Sequence, residues 1–345
     1  MMHIRRILTV AAAVAMLAGA SPDVLAQKVD KQTKKEQERR SKQEQKDIQA
    51  LVQLVDAVSA GKTPAPTDVG VMWEANHFVK GQDGSTYIPF SVAIDASKLA
   101  APGTAIYVRA VNKGAAPDDA KNAKNVVYPW DNVHFVDVPA DGKVARAMQL
   151  KPGDYEIFIA VKEKTPAQEQ KNAPPAKTGL LRRDLSVPDF AGADLKTSTV
   201  IVASRIEPVT TPLKPEEQQD NPYTFGAMKV VPSLDFKLKK SAELQVLFWI
   251  YGMQQASGKP DVTVEYNFHQ KTAEGEKFFN KTAPQLLNAS TLPPQFDVAA
   301  GHQLPGSLVV PLASFPVGEY RLEIKVTDKV SGQTLTQNAN FTVES

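Results

Sequence analysis

Residues 318–328 read Gly318-Glu319-Tyr320-Arg321-Leu322-Glu323-Ile324-Lys325-Val326-Thr327-Asp328, and apolar and polar side chains alternate along the segment. Alternation with a period of two indicates a β-strand, because successive side chains of a strand point to opposite faces of the sheet. A strand with one charged face must have water on that side, which is typical of antiparallel sheets. The segment therefore predicts a strand that packs on one face only.

A second segment begins in the same way. Residues 151–161 read Lys-Pro-Gly-Asp-Tyr-Glu-Ile-Phe-Ile-Ala-Val. In immunoglobulin-like sandwiches, a tyrosine near the start of such a strand returns its hydroxyl to upstream backbone and closes the corner between two sheets. Short strands with turn signals between them recur along the chain. We therefore predict an all-β fold with two tandem immunoglobulin- or fibronectin-type antiparallel β-sandwiches, preceded by a short N-terminal helix.

The N-terminus predicts export. Residues 1–6 form a short basic segment, and an apolar run extends from Ile7 to about Ala18. Val24-Leu25-Ala26 then precede the expected cleavage point at Gln27. This order is typical of a cleaved signal peptide, and the apolar run is too short to span a bilayer. We expect residues 1–26 to be removed and the mature protein to be periplasmic or extracellular. We also expect no membrane-spanning segment in the mature chain.

Composition divides the rest of the chain into three parts. Within residues 27–66, the segment 28–47 is rich in Lys, Gln, Glu and Arg and is expected to be a charged tether, either a solvated helix or disordered. Apolar residues then recur at helical spacing from Ile48 to Val58. This amphipathic helix is expected either to cap a sandwich edge or to pair with a partner helix. The sandwich domains are predicted to span 67–190 and 196–345.

Several classes of function find no support in the sequence. The 345 residues carry 40 Lys and Arg against 38 Asp and Glu, so the net charge of +2 does not indicate a nucleic-acid partner. The chain has no cysteine, so neither disulfides nor thiol chemistry are available. Nucleophile-elbow, zinc-helix and EF-hand motifs do not occur. We therefore predict no enzyme, no catalytic or metal-binding residues and no cofactor.

The segment 242–252 is apolar on both faces. One face carries Leu244, Val246, Phe248 and Ile250, and the other carries Leu247, Trp249 and Tyr251. Such a strand is either covered on both sides or presents an apolar patch. The second face is covered by the neighbouring domain or the N-terminal helix in one interpretation, and by an external protein in the other. Its three residues are our candidate interface.

One cluster combines aromatic and polar residues. Residues 128–134 read Tyr128-Pro129-Trp130-Asp131-Asn132-Val133-His134, and Trp73 and His77 would lie nearby if the first hairpin pairs beside this segment. Rings beside short polar side chains are typical of a sugar-binding face. Tryptophans also fill sandwich cores. Both interpretations stay open for the candidate ligand face, which consists of Trp73, His77, Tyr128, Trp130, Asp131 and His134.

The C-terminal half also carries a family resemblance. Its motifs are Lys259-Pro260-Asp261-Val262-Thr263-Val264-Glu265-Tyr266, Gly275-Glu276-Lys277-Phe278-Phe279-Asn280, Leu292-Pro293-Pro294-Gln295-Phe296 and Ala300-Gly301-His302-Gln303-Leu304-Pro305. Over roughly the last 160 residues the chain resembles the C-terminal β-sandwich region of uncharacterised exported bacterial proteins, some of which carry a von Willebrand A-like domain. The resemblance implies a sandwich fold and an exported location, and it implies no activity or binding residues.

These observations favour a non-enzymatic exported envelope protein that acts as a protein-interaction or structural module. Its partner is expected to be another envelope protein. The alternative is a carbohydrate-binding module that uses the aromatic cluster around Trp130 to hold a glycan. A hydrolase built on surface carboxylates is a third interpretation, because a sequence does not show the distance between two carboxylates.

Overall fold

The computed structural model describes residues 42–114, 127–165 and 174–345, apart from residues 212 and 219. The predicted signal peptide and most of the charged tether lie outside the described residues. The strands belong to one compact unit formed by Asp47–Lys164 and Pro174–Ser345. Within the described ranges, no helix has both the length and the apolar character needed to cross a membrane.

The first sandwich consists of two antiparallel sheets. Its strands are β1 (Val71–Asn76), β2 (Val79–Lys80), β3 (Thr86–Ile94), β4 (Gly103–Asn112), β5 (Trp130–Asp137), β6 (Lys143–Leu150), β7 (Gly153–Glu163) and β8 (Thr178–Val187). Sheet 1 has the order β5-β4-β7-β8, and sheet 2 pairs β3 with β1, β2 and β6. A short 3-10 helix, Ala96–Lys98, follows β3. The apolar side chains that face each other between the two sheets form the first core.

The second sandwich contains the remaining strands. They are β9 (Lys196–Thr197), β10 (Ile201–Pro208), β11 (Thr224–Phe225), β12 (Met228–Pro232), β13 (Lys237–Lys239), β14 (Glu243–Tyr251), β15 (Gln255–Ala256), β16 (Lys259–Pro260), β17 (Val262–Thr272), β18 (Gly275–Lys281), β19 (Gln285–Leu287), β20 (Leu304–Pro311), β21 (Gly318–Asp328) and β22 (Thr334–Glu344). Sheet 3 has the order β11-β12-β10-β14-β20, with β9 also paired to β14. Sheet 4 has the order β13-β22-β21-β17-β18, with β19 paired to β17, and the β13–β22 pairing is parallel. The second core lies between these sheets.

The two predicted tyrosine corners are both present. The hydroxyl of Tyr155 donates a hydrogen bond to the carbonyl oxygen of Lys151 at 2.9 Å, and that of Tyr320 donates to the carbonyl oxygen of Pro316 at 2.7 Å. Each strand starts at a glycine with a positive φ, which is 147° at Gly153 and 150° at Gly318. Residues other than glycine rarely adopt this backbone conformation. The prediction of two immunoglobulin-like sandwiches is thereby confirmed.

A helix, α1, covers residues 42–59. Its apolar side chains lie on the outer face of sheet 1. The buried residues of this contact are Leu51, Val55 and Val58 on the helix and Ala105, Tyr107, Phe158, Ala160 and Leu180 on the sheet. The helix thus covers a sheet face and not the sandwich edge that we expected, because the outward residues of β4 and β7 are themselves apolar and need cover.

Two ion pairs accompany this apolar contact. The side chain of Asp47 is 1% exposed and lies 2.5 Å from the ammonium nitrogen of Lys162 on β7. At the other end of the helix, Asp56 lies 2.5 Å from the guanidinium of Arg109 on β4, which is 3% exposed. The hydroxyl of Tyr107 accepts a further hydrogen bond from Arg109 at 2.7 Å. The charges fix the position of the helix along the sheet, since the buried carboxylate of Asp47 and the buried guanidinium of Arg109 each need a partner.

Candidate functional site

The two sandwiches meet on the outer face of β14. Leu247, Trp249 and Tyr251 are 1%, 6% and 4% exposed, and they pack in one apolar cluster with Val79 of the first sandwich and Phe190 of the connecting segment. The ring centroids of Phe190 and Tyr251 are 5.1 Å apart. The neighbouring domain therefore covers this face, as one of our two interpretations had it. The surface that the other interpretation offered to an external protein is filled within the chain.

Hydrogen bonds cross the same contact. The backbone N–H of Lys80 donates to the hydroxyl of Tyr251 at 3.1 Å. Phe78 and Thr199 are joined twice, since the N–H of Phe78 donates to the hydroxyl of Thr199 and the N–H of Thr199 donates to the carbonyl oxygen of Phe78, both at 3.0 Å. Apolar packing together with hydrogen bonds of fixed direction holds the sandwiches in one relative orientation.

The segment before β11 forms a second part of this contact. It includes a short helix, α2 (Pro215–Gln218). The hydroxyl of Tyr87 on β3 donates to the carbonyl oxygen of Pro222 at 2.8 Å, and the guanidinium of Arg146 on β6 lies 3.2 Å from the carboxylate of Asp220. This segment of the second sandwich therefore lies against sheet 2 of the first.

Two buried histidines lie close to this segment. His77 is in hydrogen-bond contact with the hydroxyl of Tyr223, with 3.0 Å between Nδ1 and the oxygen, and its burial lowers the pKa of the imidazole to about 4. Burial lowers the pKa of His134 to about 4 as well, the positive charge of Arg146 adds to this effect, and Asp220 opposes it. Both rings are thus neutral at pH 7.

The structure does not bring the six residues of the candidate ligand face together. Trp73 stacks on Phe90 with 5.0 Å between ring centroids, and the guanidinium of Arg183 on β8 lies 4.5 Å from the Trp73 ring. Trp130 begins β5, the opposite edge strand of sheet 1 from β8. The two tryptophans therefore lie at opposite edges of the sandwich, because β1 lies beside β8 and not beside β5, so the condition for bringing Trp73 close to Trp130 is not met.

The remaining members also separate. The guanidinium of Arg109 lies over the ring of Tyr128, 4.0 Å from the ring centroid. Asp131 is the cross-strand neighbour of Arg109, on the side of sheet 1 that faces the helix. Trp130 and His134 point to the opposite, inner side of the same strand, where Trp130 packs against the first core. His77 lies at the contact between the sandwiches, where it is hydrogen-bonded to Tyr223. The six residues of the predicted face are therefore distributed over separate packing, cation–π and hydrogen-bond contacts.

An open groove of about 1010 Å³ runs along the contact between the sandwiches. Its floor includes Trp249 and Tyr251. Four glutamines from distant parts of the chain border the groove with amide side chains that can form hydrogen bonds. They are Gln82, Gln149, Gln218 and Gln303. We did not predict these residues, because no local pattern connects four single glutamines that lie in two loops, at the end of a strand and at the end of a short helix.

Metal binding is not indicated by the described part of the chain. Among its His, Asp and Glu side chains, no three lie close enough together to hold a metal ion.

Comparison with known proteins gives no family. No protein-family model and no curated protein match the chain. Among solved structures, Escherichia coli alpha-2-macroglobulin activated by porcine elastase is 12% identical, with a TM-score of 0.24 over 80% of this chain and 23% of that one. Trypsin-activated alpha-2-macroglobulin from Escherichia coli is 10% identical, with a TM-score of 0.23 over 81% and 17%. A Salmonella alpha-2-macroglobulin mutant is 9% identical, with a TM-score of 0.20 over 79% and 16%.

The chain therefore spans less than a quarter of the length of these structures. At such TM-scores the likeness supports no conclusion about function.

Proposed function

We propose that this chain is an exported, non-enzymatic envelope protein that acts as a structural or protein-interaction module. The observation that carries the proposal is the filled contact around β14, which joins two sandwiches into a single unit. Independent domains on a flexible linker would leave Leu247, Trp249 and Tyr251 in water. Burial of these residues holds the two sandwiches in a fixed geometry, which a structural or protein-interaction module needs if it presents surfaces of both.

Export is supported by the signal-peptide pattern in residues 1–26 and by the resemblance to exported bacterial proteins. Mass spectrometry of the protein recovered from the periplasm or the medium should show a mature N-terminus at Gln27. A chain that stays in the cytoplasm with residues 1–26 attached would contradict export.

The interaction role predicts a partner that depends on the fixed geometry. Tagged full-length protein should recover one stoichiometric envelope protein from crosslinked native cells. A variant with Trp249→Ala and Tyr251→Ala, which loosens the contact but leaves both cores intact, should recover much less of it. The matched control is Phe278→Ala, which also removes an aromatic ring, but an exposed one on β18.

Two outcomes would contradict the proposal. One is equal recovery of the partner by the loosened variant, which would show that the fixed geometry is not needed. The other is the absence of any stoichiometric partner of the wild-type protein. Circular dichroism of each variant verifies that both sandwiches are still folded.

A further inference from the structure

The groove along the sandwich contact has a consistent chemical character. Its walls are formed by the turn between β2 and β3 and the end of β6 on one side, and by the turn between β11 and β12 on the other. The loop 298–303 closes one end. Phe225, which is half-buried in this wall, packs on Trp249 with 4.7 Å between ring centroids. The groove thus combines an aromatic floor and wall with amide side chains at its rim.

The groove is almost free of charge. Among its described lining residues none is an aspartate or glutamate, and the only Lys or Arg is Lys80, whose ammonium nitrogen lies 5.9 Å from the centre of the Tyr251 ring. His302 is the only histidine of the lining. A strongly charged ligand would therefore meet little opposite charge here, and an uncharged polar ligand fits better.

The rim amides are oriented by the protein. The amide nitrogen of Gln149 donates to the hydroxyl of Ser85 at 2.5 Å, that of Gln218 donates to the carbonyl oxygen of Thr224 at 2.9 Å, and that of Gln303 reaches the carbonyl oxygen of Lys80 at 3.4 Å. Within the described residues, the three amide oxygens accept no hydrogen bond. With the nitrogens engaged, each glutamine presents an acceptor to the groove.

The bordering strands do not offer a free edge to an extended peptide. At Lys80 on β2, the backbone N–H donates to the Tyr251 hydroxyl and the carbonyl oxygen faces the Gln303 amide. At Thr224 on β11, the carbonyl oxygen accepts from Gln218. Strand addition needs unpaired backbone groups, so a peptide strand finds few partners here. Side chains must hold the ligand.

We propose that this groove binds a neutral, hydroxyl-rich ligand, namely a short uncharged oligosaccharide. Its hydroxyls donate to the amide oxygens of the rim glutamines, and the half-buried rings of Phe225 and Tyr87 lie against apolar sugar faces. Lys80 supplies a donor for hydroxyl oxygens. The inference goes beyond the proposed interaction role, and it places glycan binding away from the cluster around Trp130.

The test uses the full-length mature protein on a panel of immobilised neutral and acidic glycans and proline-rich peptides, followed by titration calorimetry with any retained glycan. We expect retention on neutral glycans. Gln149→Ala and Gln303→Ala should each weaken this binding about tenfold, the effect of losing one well-placed hydrogen bond. Gln255→Ala changes an exposed glutamine of β15 outside the groove, and it should bind like the wild type.

Both groove glutamines are exposed, so their removal should leave the thermal unfolding midpoint unchanged, and a lost signal can be assigned to the groove. The inference is overturned if no neutral glycan is retained, if only acidic glycans or peptides are retained, or if the two groove variants bind as tightly as the wild type. Failure here would leave the recovery of an envelope partner unaffected, so the two proposals are separable.

Discussion

Strands β7 and β21 begin with the same glycine, acid and tyrosine and make the same corner, but their outer faces lie in different surroundings. On β7, the outward positions after the tyrosine include Phe158 and Ala160, both completely buried under helix α1. The corresponding positions of β21 are Glu323 and Lys325, which face solvent. Inward, the two strands are alike. The same structural element therefore accepts either a helix or water on its second face.

The electrostatics of the two outer faces differ in the same sense. On sheet 1, Arg109 is 3% exposed and is paired with Asp56 of the helix. On sheet 4, Arg321 lies 2.7 Å from Glu276 and 3.2 Å from Glu323, at the protein surface. A buried cation depends strongly on its partner, whereas surface pairs contribute little because water screens them. The cover that the helix gives to sheet 1, and not the strand itself, therefore determines how much each outward residue contributes to stability.

The largest effect expected of a single substitution tests the role of the helix directly. Phe158→Ala removes a completely buried ring between helix and sheet and should lower the free energy of unfolding by about 4 kcal/mol. Glu323→Ala, at the matching position of β21, should cost less than about 1 kcal/mol. Urea denaturation followed by circular dichroism measures both. Equal losses in the two variants would show that the faces do not differ as described.

Acid should act mainly on the first sandwich and its contact with the second. The folded-state pKa values of His77 and His134 are about 4, below the ordinary 6.5, so the unfolded chain takes up protons that the folded chain does not. The contribution of these two histidines to the free energy of unfolding is fully present above pH 6.5. It is lost as the pH falls toward 4, by roughly 3 kcal/mol for each histidine.

Unfolding free energies measured from pH 7 to pH 4 check this dependence. His77→Gln and His134→Gln should each remove about half of the loss of unfolding free energy between pH 7 and pH 4. His302→Gln changes an exposed loop histidine and should leave the pH dependence as in the wild type. An unchanged slope in both buried-site variants would contradict the assignment.

The ion pairs give a smaller contrast. Asp56→Asn leaves the buried guanidinium of Arg109 without its carboxylate and should cost about 2 kcal/mol, because Asp56 itself is half exposed and water can replace part of the interaction. Glu276→Gln on sheet 4 should cost less than about 0.5 kcal/mol. Added salt should not change which of the two variants loses more unfolding free energy. A larger loss for Glu276→Gln would reverse our interpretation of the two faces.

The smallest effect concerns what the strands share. Tyr155→Phe and Tyr320→Phe each delete one hydroxyl that donates to a backbone carbonyl four residues upstream, at 2.9 Å and 2.7 Å. Each should cost about 1 kcal/mol, and the two losses should agree within error. Thermal unfolding of the single variants measures them. Markedly different losses would show that the repeated corner does not play the same role in both sandwiches.

Several features of the site could be predicted from sequence, and others could not. The apolar character of both faces of 242–252 predicted that Trp249 and Tyr251 need cover, but it did not say which surface supplies it. The grouping of Trp73 with Trp130 was wrong, because their separation depends on whether β1 runs beside β8 or β5. The rim glutamines gave no signal at all, since the sequence around an isolated glutamine does not show which other residues it will face.

Side-chain alternation in the sequence was enough to predict long strands such as β7 and β21, their inward faces and the two tyrosine corners. These features depend on side-chain alternation and on contacts a few residues apart, which a linear pattern records. It took the three-dimensional structure to show that a helix covers the outer face of sheet 1 while the outer face of sheet 4 is in water, and that a groove forms where the sandwiches meet. Those outcomes depend on pairs such as Lys80 and Tyr251, 171 positions apart, whose meeting is set by the packing of whole sheets.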